Sequence, residues 1–422
     1  MGDKEIAGGN VMDTWKRNLW ICWLGSFATS AALSQVAPIL PLYIHELGMV
    51  NIGDIAIWSG FAYGATTFIM AIVSPVWGKL ADKYGRKPML LRASFGMTII
   101  LIFTAFVTSV SQLVAMRMLL GTISGFNSGA ITLIATQTPR EKAGWALGTL
   151  STGSVSGTLL GPMLGGYLVE IIGIRHSFVV MAGLLFIAFL LSLFFIHEDF
   201  SPKTRHMQKF SEIWHSLPNH SLFFSMFITT FFIQLALFSI EPVITIYVRM
   251  LSARADHLAF ISGLVFASSG VSTMLFAPWL GKLSDRIGAH KVIFAALIAG
   301  ALLFIPQAFV QNEWQLMGLR FGVGIATGAM LPSINTMLKQ NTPSDVAGRI
   351  FSINQSAQFL GVFMGSILGG QIAAHWGIRN VFFITSFLLV LNAVDVYFNV
   401  LRKIDIQNEG TNHQPAYQVH SR

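Results

Sequence analysis

The chain has 422 residues, of which 53% are hydrophobic and only 11% charged, with a formal net charge of +8. A soluble domain of this length needs roughly twice that charged fraction to cover its surface, so a water-soluble enzyme or binding module is excluded. A single cysteine, Cys22, excludes an intrachain disulfide and any cysteine-held metal cluster.

Apolar runs long enough to cross a hydrocarbon core roughly 30 Å thick recur along the whole chain. In the first half they predict spans near 19–43, 55–78, 89–110, 113–136, 146–170 and 176–196. In the second half they lie near 222–247, 258–280, 292–309, 315–338, 348–374 and 381–401. Lys16 and Arg17 precede the first run as they would in a signal peptide, but the run is too long for one and is read as retained. With the N-terminus inside, 21 of the 27 Lys and Arg residues fall on the cytoplasmic side and four on the other, with Arg117 and Arg320 inside spans. That bias predicts both chain ends in the cytoplasm. The positive charge is therefore a topology signal, and no nucleic-acid partner is expected.

The two halves are copies. Gly78-Lys-Leu-Ala-Asp82-Lys-Tyr-Gly85-Arg86-Lys87 returns as Gly281-Lys-Leu-Ser-Asp285-Arg286-Ile-Gly288, an offset of 203 positions. Ser59-Gly60 maps to Ser262-Gly263, Arg117 to Arg320 and Gly121 to Gly324. After a slip of one residue, Pro38 maps to Pro242, Gly161 to Gly365 and Gly165-Gly166 to Gly369-Gly370. Parallel repeats of this size build one large group of secondary transporters. The expected fold is an all-α membrane protein with twelve transmembrane helices in two repeat-related six-helix bundles. The domains are a bundle over 1–196, a cytoplasmic linker over 197–220, a bundle over 221–403 and a tail over 404–422. Residues 210–217 could form a short amphipathic surface helix or remain plain linker.

In the loop after span 2, Gly78 and Gly85 permit tight turns, and Arg86 and Lys87 supply positive charge. Topology alone would explain those cations but not Asp82. An acid there can accept hydrogen bonds from a helix N-terminus, and span 11 begins on the same face. The second copy keeps Asp285 but has Ala289 and His290 where the first has Arg86 and Lys87. The first copy resembles motif A of the major facilitator superfamily. The resemblance implies that this loop gates the conformational switch.

In span 5, Gly157-x-x-x-Gly161-Pro162-x-x-Gly165-Gly166 allows close helix approach, and Pro162 removes one backbone hydrogen bond. Ordinary small-residue packing would account for the glycines, but the full pattern is rarer. It is similar to the antiporter motif of the twelve-helix drug:H⁺ branch of that superfamily, which implies export. Span 11 repeats the glycines but has Ser366 in place of Pro162. Arg117 in Leu113-Val-Ala-Met-Arg117-Met-Leu-Leu-Gly121 resembles the arginine of the family's motif B, which implies influence on proton transfer. Leu120 departs from the polar residue of many members. Snorkelling of Arg117 to the headgroups is the alternative.

An antiporter needs a titratable group inside the membrane, and Glu241 and Asp395 are the acids that fall clearly within spans. Glu241 precedes Pro242, where the helix should break, and its repeat mate is Ala37. It is the candidate proton carrier, with Arg320 or Arg117 as partner; a static ion pair is the other reading. Asp395, nearer the cytoplasmic end of span 12, reads as structural. Aromatic and amide groups around an apolar cavity suit varied amphiphiles, and Trp23, Phe27, Gln35, Asn127, Gln234, Asn335, Gln355 and Gln358 are the candidate lining. Each is equally at home as helix–helix glue.

No GxxxxGK[ST] phosphate loop occurs, and the histidines avoid span centres, so neither ATP hydrolysis nor an intramembrane metal site is expected. No cofactor or catalytic residue is indicated. The reading is a proton-coupled efflux antiporter for small amphipathic compounds, in the cytoplasmic (inner) membrane of a bacterium and monomeric as the resemblance implies. A single-metabolite exporter or symporter, or a membrane sensor, are the alternatives. An embedded enzyme lacks a convergent set of His, Asp or Ser.

Overall fold

The structure is a computed structural model that describes residues 6–198, 200, 220–252, 257–342 and 347–403. The expected surface helix at 210–217 and the tail over 404–422 lie outside these residues. The described residues carry helices and no strands. In chain order these are α1 (Ile6–Ser34), α2 (Val36–Glu46), α3 (Ile52–Tyr84), α4 (Arg86–Ala105), α5 (Val110–Ile123), α6 (Phe126–Gln137) and α7 (Ala143–Phe195). The second half has α8 (His220–Ile240), α9 (Ile244–Leu251), α10 (Leu258–Ile287), α11 (Ala289–Gln307) and α12 (Glu313–Gly328). It continues with α13 (Met330–Asn341), α14 (Ala347–Trp376) and α15 (Ile378–Val396).

Among the described residues ten helical segments are long and apolar enough to cross a membrane, and the α1–α2 pair, bent by 42°, adds an eleventh. α7 has 53 residues, and at 1.5 Å per residue it is about 80 Å long, far more than one crossing. It breaks at Gly173, whose φ of 81° is open to glycine but strained for other residues. Counted as two, α7 brings the total to the twelve spans expected.

Proline sets the bends that the repeat predicts. Pro38 cannot donate to the Ser34 carbonyl, so span 1 breaks into α1 and α2 just before it. Pro242 does the same in span 7, where a 3₁₀ turn over Glu241–Val243 separates α8 from α9. Span 4 differs from the continuous helix expected. It is interrupted between α5 and α6 at Gly125, with φ of 129°, and Arg92 donates to the freed carbonyls of Ile123 and Ser124 at 3.0 and 3.1 Å.

Glycines let the bundles close. A Cβ on Gly157 would collide with the Phe27 carbonyl of α1, and one on Gly369 with the Ser239 carbonyl of α8. Span 5 therefore lies backbone-to-backbone on span 1, and span 11 on span 7 in the same way. A polar ladder joins α8 to α15 in the second bundle. Ser225 donates to Asp395 at 2.6 Å, Asn399 donates to the other Asp395 oxygen at 2.7 Å, and Thr229 donates to Asn392 at 3.2 Å. Asp395 is thus held by static bonds, as a structural acid would be. Asp395→Ala is expected to lower the thermal stability of the detergent-solubilised protein, by about 1–3 kcal/mol, because two bonds to a charged group are lost. Differential scanning fluorimetry would read this, while the direction of transport stays unchanged.

Among the described residues, hydrogen bonds and ring contacts between the bundles lie in the half away from the chain ends. Tyr63 meets Glu241, Thr245 donates to the Pro38 carbonyl at 3.0 Å, and Phe260 N donates to Glu170 at 3.0 Å. The stacked Phe68–Phe363 pair, with centroids 4.5 Å apart, reaches furthest toward the middle. The molecule is closed on that far side and opens toward the chain ends.

Candidate functional site

The break at Pro242 places Glu241 where helical regularity is already lost and a polar side chain can be served from another helix. Tyr63, from α3 in the opposite bundle, donates its hydroxyl to Glu241 Oε2 at 3.0 Å, and its ring lies against Phe238 with centroids 5.9 Å apart. Arg117 on α5 and Arg320 on α12 are buried, at 4% and 1% exposure. Burial at that level removes the snorkelling alternative for Arg117. Arg320 is near enough for its charge to act on Glu241, and Arg117 near enough to act on Tyr63. Neither arginine forms an ion pair with Glu241 within 4.0 Å among the described residues; the ion pairs there are Asp82–Arg86, Glu46–Arg175 and Glu170–His257. The direct carboxylate–arginine partnership expected from sequence is replaced by a tyrosine.

This cluster is symmetric in its cations and asymmetric at its centre. Arg117 and Arg320 are repeat mates. The mates of Glu241 and Tyr63 are Ala37 and Phe266, both buried and apolar. Sequence reading missed Tyr63; the signal was a hydroxyl present in one copy only, at the height of Glu241. Arg117 Nε, Arg320 Nε and Arg320 Nη1 are buried without a hydrogen-bond partner among the described residues.

The amide and aromatic candidates divide. Trp23 and Phe27 stack on α1 with rings 5.9 Å apart, and Trp23 donates to Thr152 at 3.0 Å. Gln35, at the α1–α2 break, is fully buried with neither amide atom paired. Asn127 donates to Ser30 at 3.0 Å, leaving its oxygen unpaired. Gln234 is buried on α8, against Gly361 of α14. Asn335 accepts from Asn354 at 3.3 Å, and Asn354 in turn accepts from Thr230 at 2.7 Å, which makes that trio helix–helix glue. Gln355 and Gln358 bond to each other at 3.3 Å, with Gln355 exposed toward the chain-end opening.

At the loop after span 2, α3 ends at Tyr84 and α4 starts at Arg86, with Gly85 at φ of 94° between them. Asp82 is exposed and pairs with Arg86, one turn along, rather than with the start of α14. The N-terminus of α4 is capped instead by Glu198, which accepts from the backbone N–H of Arg86 at 2.8 Å and of Lys87 at 2.6 Å. Glycine at 85 is called for by its φ, while the nearby Glu198 carboxylate is the movable end of a side chain. Sequence reading assigned Glu198 to the linker, but with His197, whose carbonyl accepts from Asn18 and Gln137, it folds back onto the first bundle. Gly78 has open space around it, and Asp285 in the second copy is exposed.

The span 5 glycines serve two neighbours. Gly157, Gly161 and Gly165 face α1 and α2, while Gly166 meets Ala259 and Phe260 of α10 in the other bundle. The carbonyl of Pro162 is what Gly263 of α10 packs against, and the repeat-related seam sets the Ser366 carbonyl against Gly60.

Two repeat-related bundles that touch through glycine seams on one side and part on the other define a secondary transporter built for alternating access. The sequence profile of the Major Facilitator Superfamily matches residues 22–258 and 222–416, and the chain belongs to that family. It is 48% identical to the multidrug resistance protein MdtG of Salmonella dublin, over 94% of this chain and 98% of the relative. Identity to the MdtG of Salmonella arizonae is 47%, over 94% and 99%. Among solved structures, a bacterial homolog of the human lysosomal transporter Spinster, inward-facing and occupied, superposes with a TM-score of 0.73 at 14% identity, covering 90% of this chain and 96% of that one. The nucleoside transporter NupG gives 0.71 at 15% identity, covering 91% and 100%. These two likenesses carry the fold alone.

Proposed function

We propose that this protein is a proton-coupled multidrug efflux antiporter that exports small amphipathic compounds by alternating access. It works as a monomer in the bacterial inner membrane with both chain ends in the cytoplasm, and has no enzymatic step. The relatives named multidrug resistance proteins support the substrate class. The observation that carries the coupling is the Tyr63–Glu241 bond, because it joins the bundles across the half that must open and close.

Closing that half takes Glu241 away from water. A bare carboxylate is costly there, and a bound proton removes the charge, leaving Tyr63 to hold the group. Substrate entering from the chain-end side meets Trp23 and Phe27, and drives the proton off toward the cytoplasm. The ionised carboxylate then favours opening of the far half, where substrate leaves and a proton is taken up. Asp82, released from Arg86, caps the start of α14 when the chain-end side closes. The cytoplasmic linker read over 197–220 lets the bundles rock.

Inverted membrane vesicles energised to an acid lumen test this reading. Adding cationic, anionic or neutral amphiphiles is expected to produce a substrate-dependent rise in lumenal pH only where the protein is present. No such response to any compound would overturn it.

A further inference from the structure

The far-side closure is not symmetric, although the repeat predicts that it should be. One seam joins span 5 to span 8, the other joins span 2 to span 11. In the first, Glu170 of α7 reaches across the bundle boundary. Its Oε1 accepts from the Phe260 backbone N–H at 3.0 Å and its Oε2 bonds to His257 Nδ1 at 2.8 Å. The acceptor is a carboxylate, and the donors are the exposed N-terminal turn of α10 and the residue preceding it. Tyr167, one turn back on α7, lies edge-on to Phe260 with centroids 6.2 Å apart. Gly166 brings the two backbones together at the same level. In the second seam the mate of Glu170 is Ala374, whose methyl faces Gly53 and offers no acceptor. The N-terminus of α3 is capped within its own bundle, by Asn51 Oδ1 accepting from Gly53 N at 2.8 Å.

We infer that Glu170 is the latch of the far-side gate: a positioning residue that holds α10 of the second bundle by its N-terminus and biases the transporter toward the state closed on that side. A charged acceptor on helix N–H groups, aided by the helix dipole, is among the stronger polar contacts available at a membrane surface. The contact is wholly inter-bundle, so opening the far side breaks all of it, and its free energy enters the equilibrium between the two states in full. Removing a contact of this type shifts that equilibrium about five- to tenfold toward the far-side-open state. The inference rests on the rocking of the bundles and not on the coupling ion, so it stands apart from the role of Glu241.

The test uses the full chain in nanodiscs with Cys22→Ala and spin labels at Phe106→Cys and Phe309→Cys. These repeat-related sites lie on the far side of opposite bundles and are 68% and 65% exposed. Pulsed distance measurement reads the ratio of closed to open populations. Glu170→Ala is expected to raise the open population five- to tenfold, and Glu170→Gln, which keeps one acceptor for Phe260 N–H, by less. Ala374→Ser, at the unlatched seam, should leave the ratio unchanged. Unaltered distances in both folded Glu170 variants would overturn the latch. So would a shift in Ala374→Ser as large as theirs, which would mean that any change at a seam loosens the closure.

Discussion

Glu241→Gln is expected to all but eliminate proton-driven accumulation while substrate exchange at equal pH on both sides continues more slowly, because the neutral amide no longer favours far-side opening. The amide keeps the size of the side chain and its acceptor for Tyr63, so the bundle contact survives. What disappears is the ability to alternate between a charged and a neutral state. Glu241 is the acid that α8, the 3₁₀ turn and α9 bring to the bundle boundary, whereas Asp395 is already fixed by Ser225 and Asn399. Loss of a proton-transferring group typically costs two orders of magnitude or more, so uphill transport is expected to fall about a hundredfold. Counterflow of labelled substrate in proteoliposomes checks the second half of the expectation. An intact pH-driven gradient in this variant would show that another group carries the proton.

A second large effect is expected at the glycine seams. Gly263 packs on the Pro162 carbonyl and its repeat mate Gly60 on the Ser366 carbonyl, and in each case an added Cβ would meet backbone, not a movable side-chain end. Overpacking of this kind costs about 1–3 kcal/mol, and here it falls only on the state in which the far side is closed. Gly263→Ala and Gly60→Ala should therefore move the population about tenfold or more toward the open state and slow transport accordingly. Gly183, on the second half of α7, has nothing within 4 Å of its Cβ position, and Gly183→Ala should be neutral. The Phe106–Phe309 label pair reads the populations. Equal behaviour of all three alanine variants would mean that the seams do not control closure.

Much of this architecture was legible in the chain because the duplication wrote it twice. The break at Pro242, and the glycine stripes of spans 5 and 11, follow from residue types whose backbone consequences are local. The interruption of span 4 was not legible, since Gly125 looks like any other glycine of a membrane helix until its φ is known. The partners of the functional acids were hidden for a different reason. Tyr63 and Glu241 are 178 positions apart, and Glu198 and Arg86 are 112 apart. No periodicity links such residues; only the packing of helices from distant parts of the chain does. Arg117 and Arg320 were found by the cost of burying charge, but that cost says nothing about which acid answers them, and neither forms the expected direct pair.

Substrate and proton are expected to compete through Glu241, and proton release on substrate binding reports that competition. Purified protein in weakly buffered detergent solution, with a pH indicator present, would be mixed with a transported amphiphile near neutral pH. Proton release is expected from the native protein and none from Glu241→Gln, although the variant still binds the compound. Equal release from both proteins would contradict it.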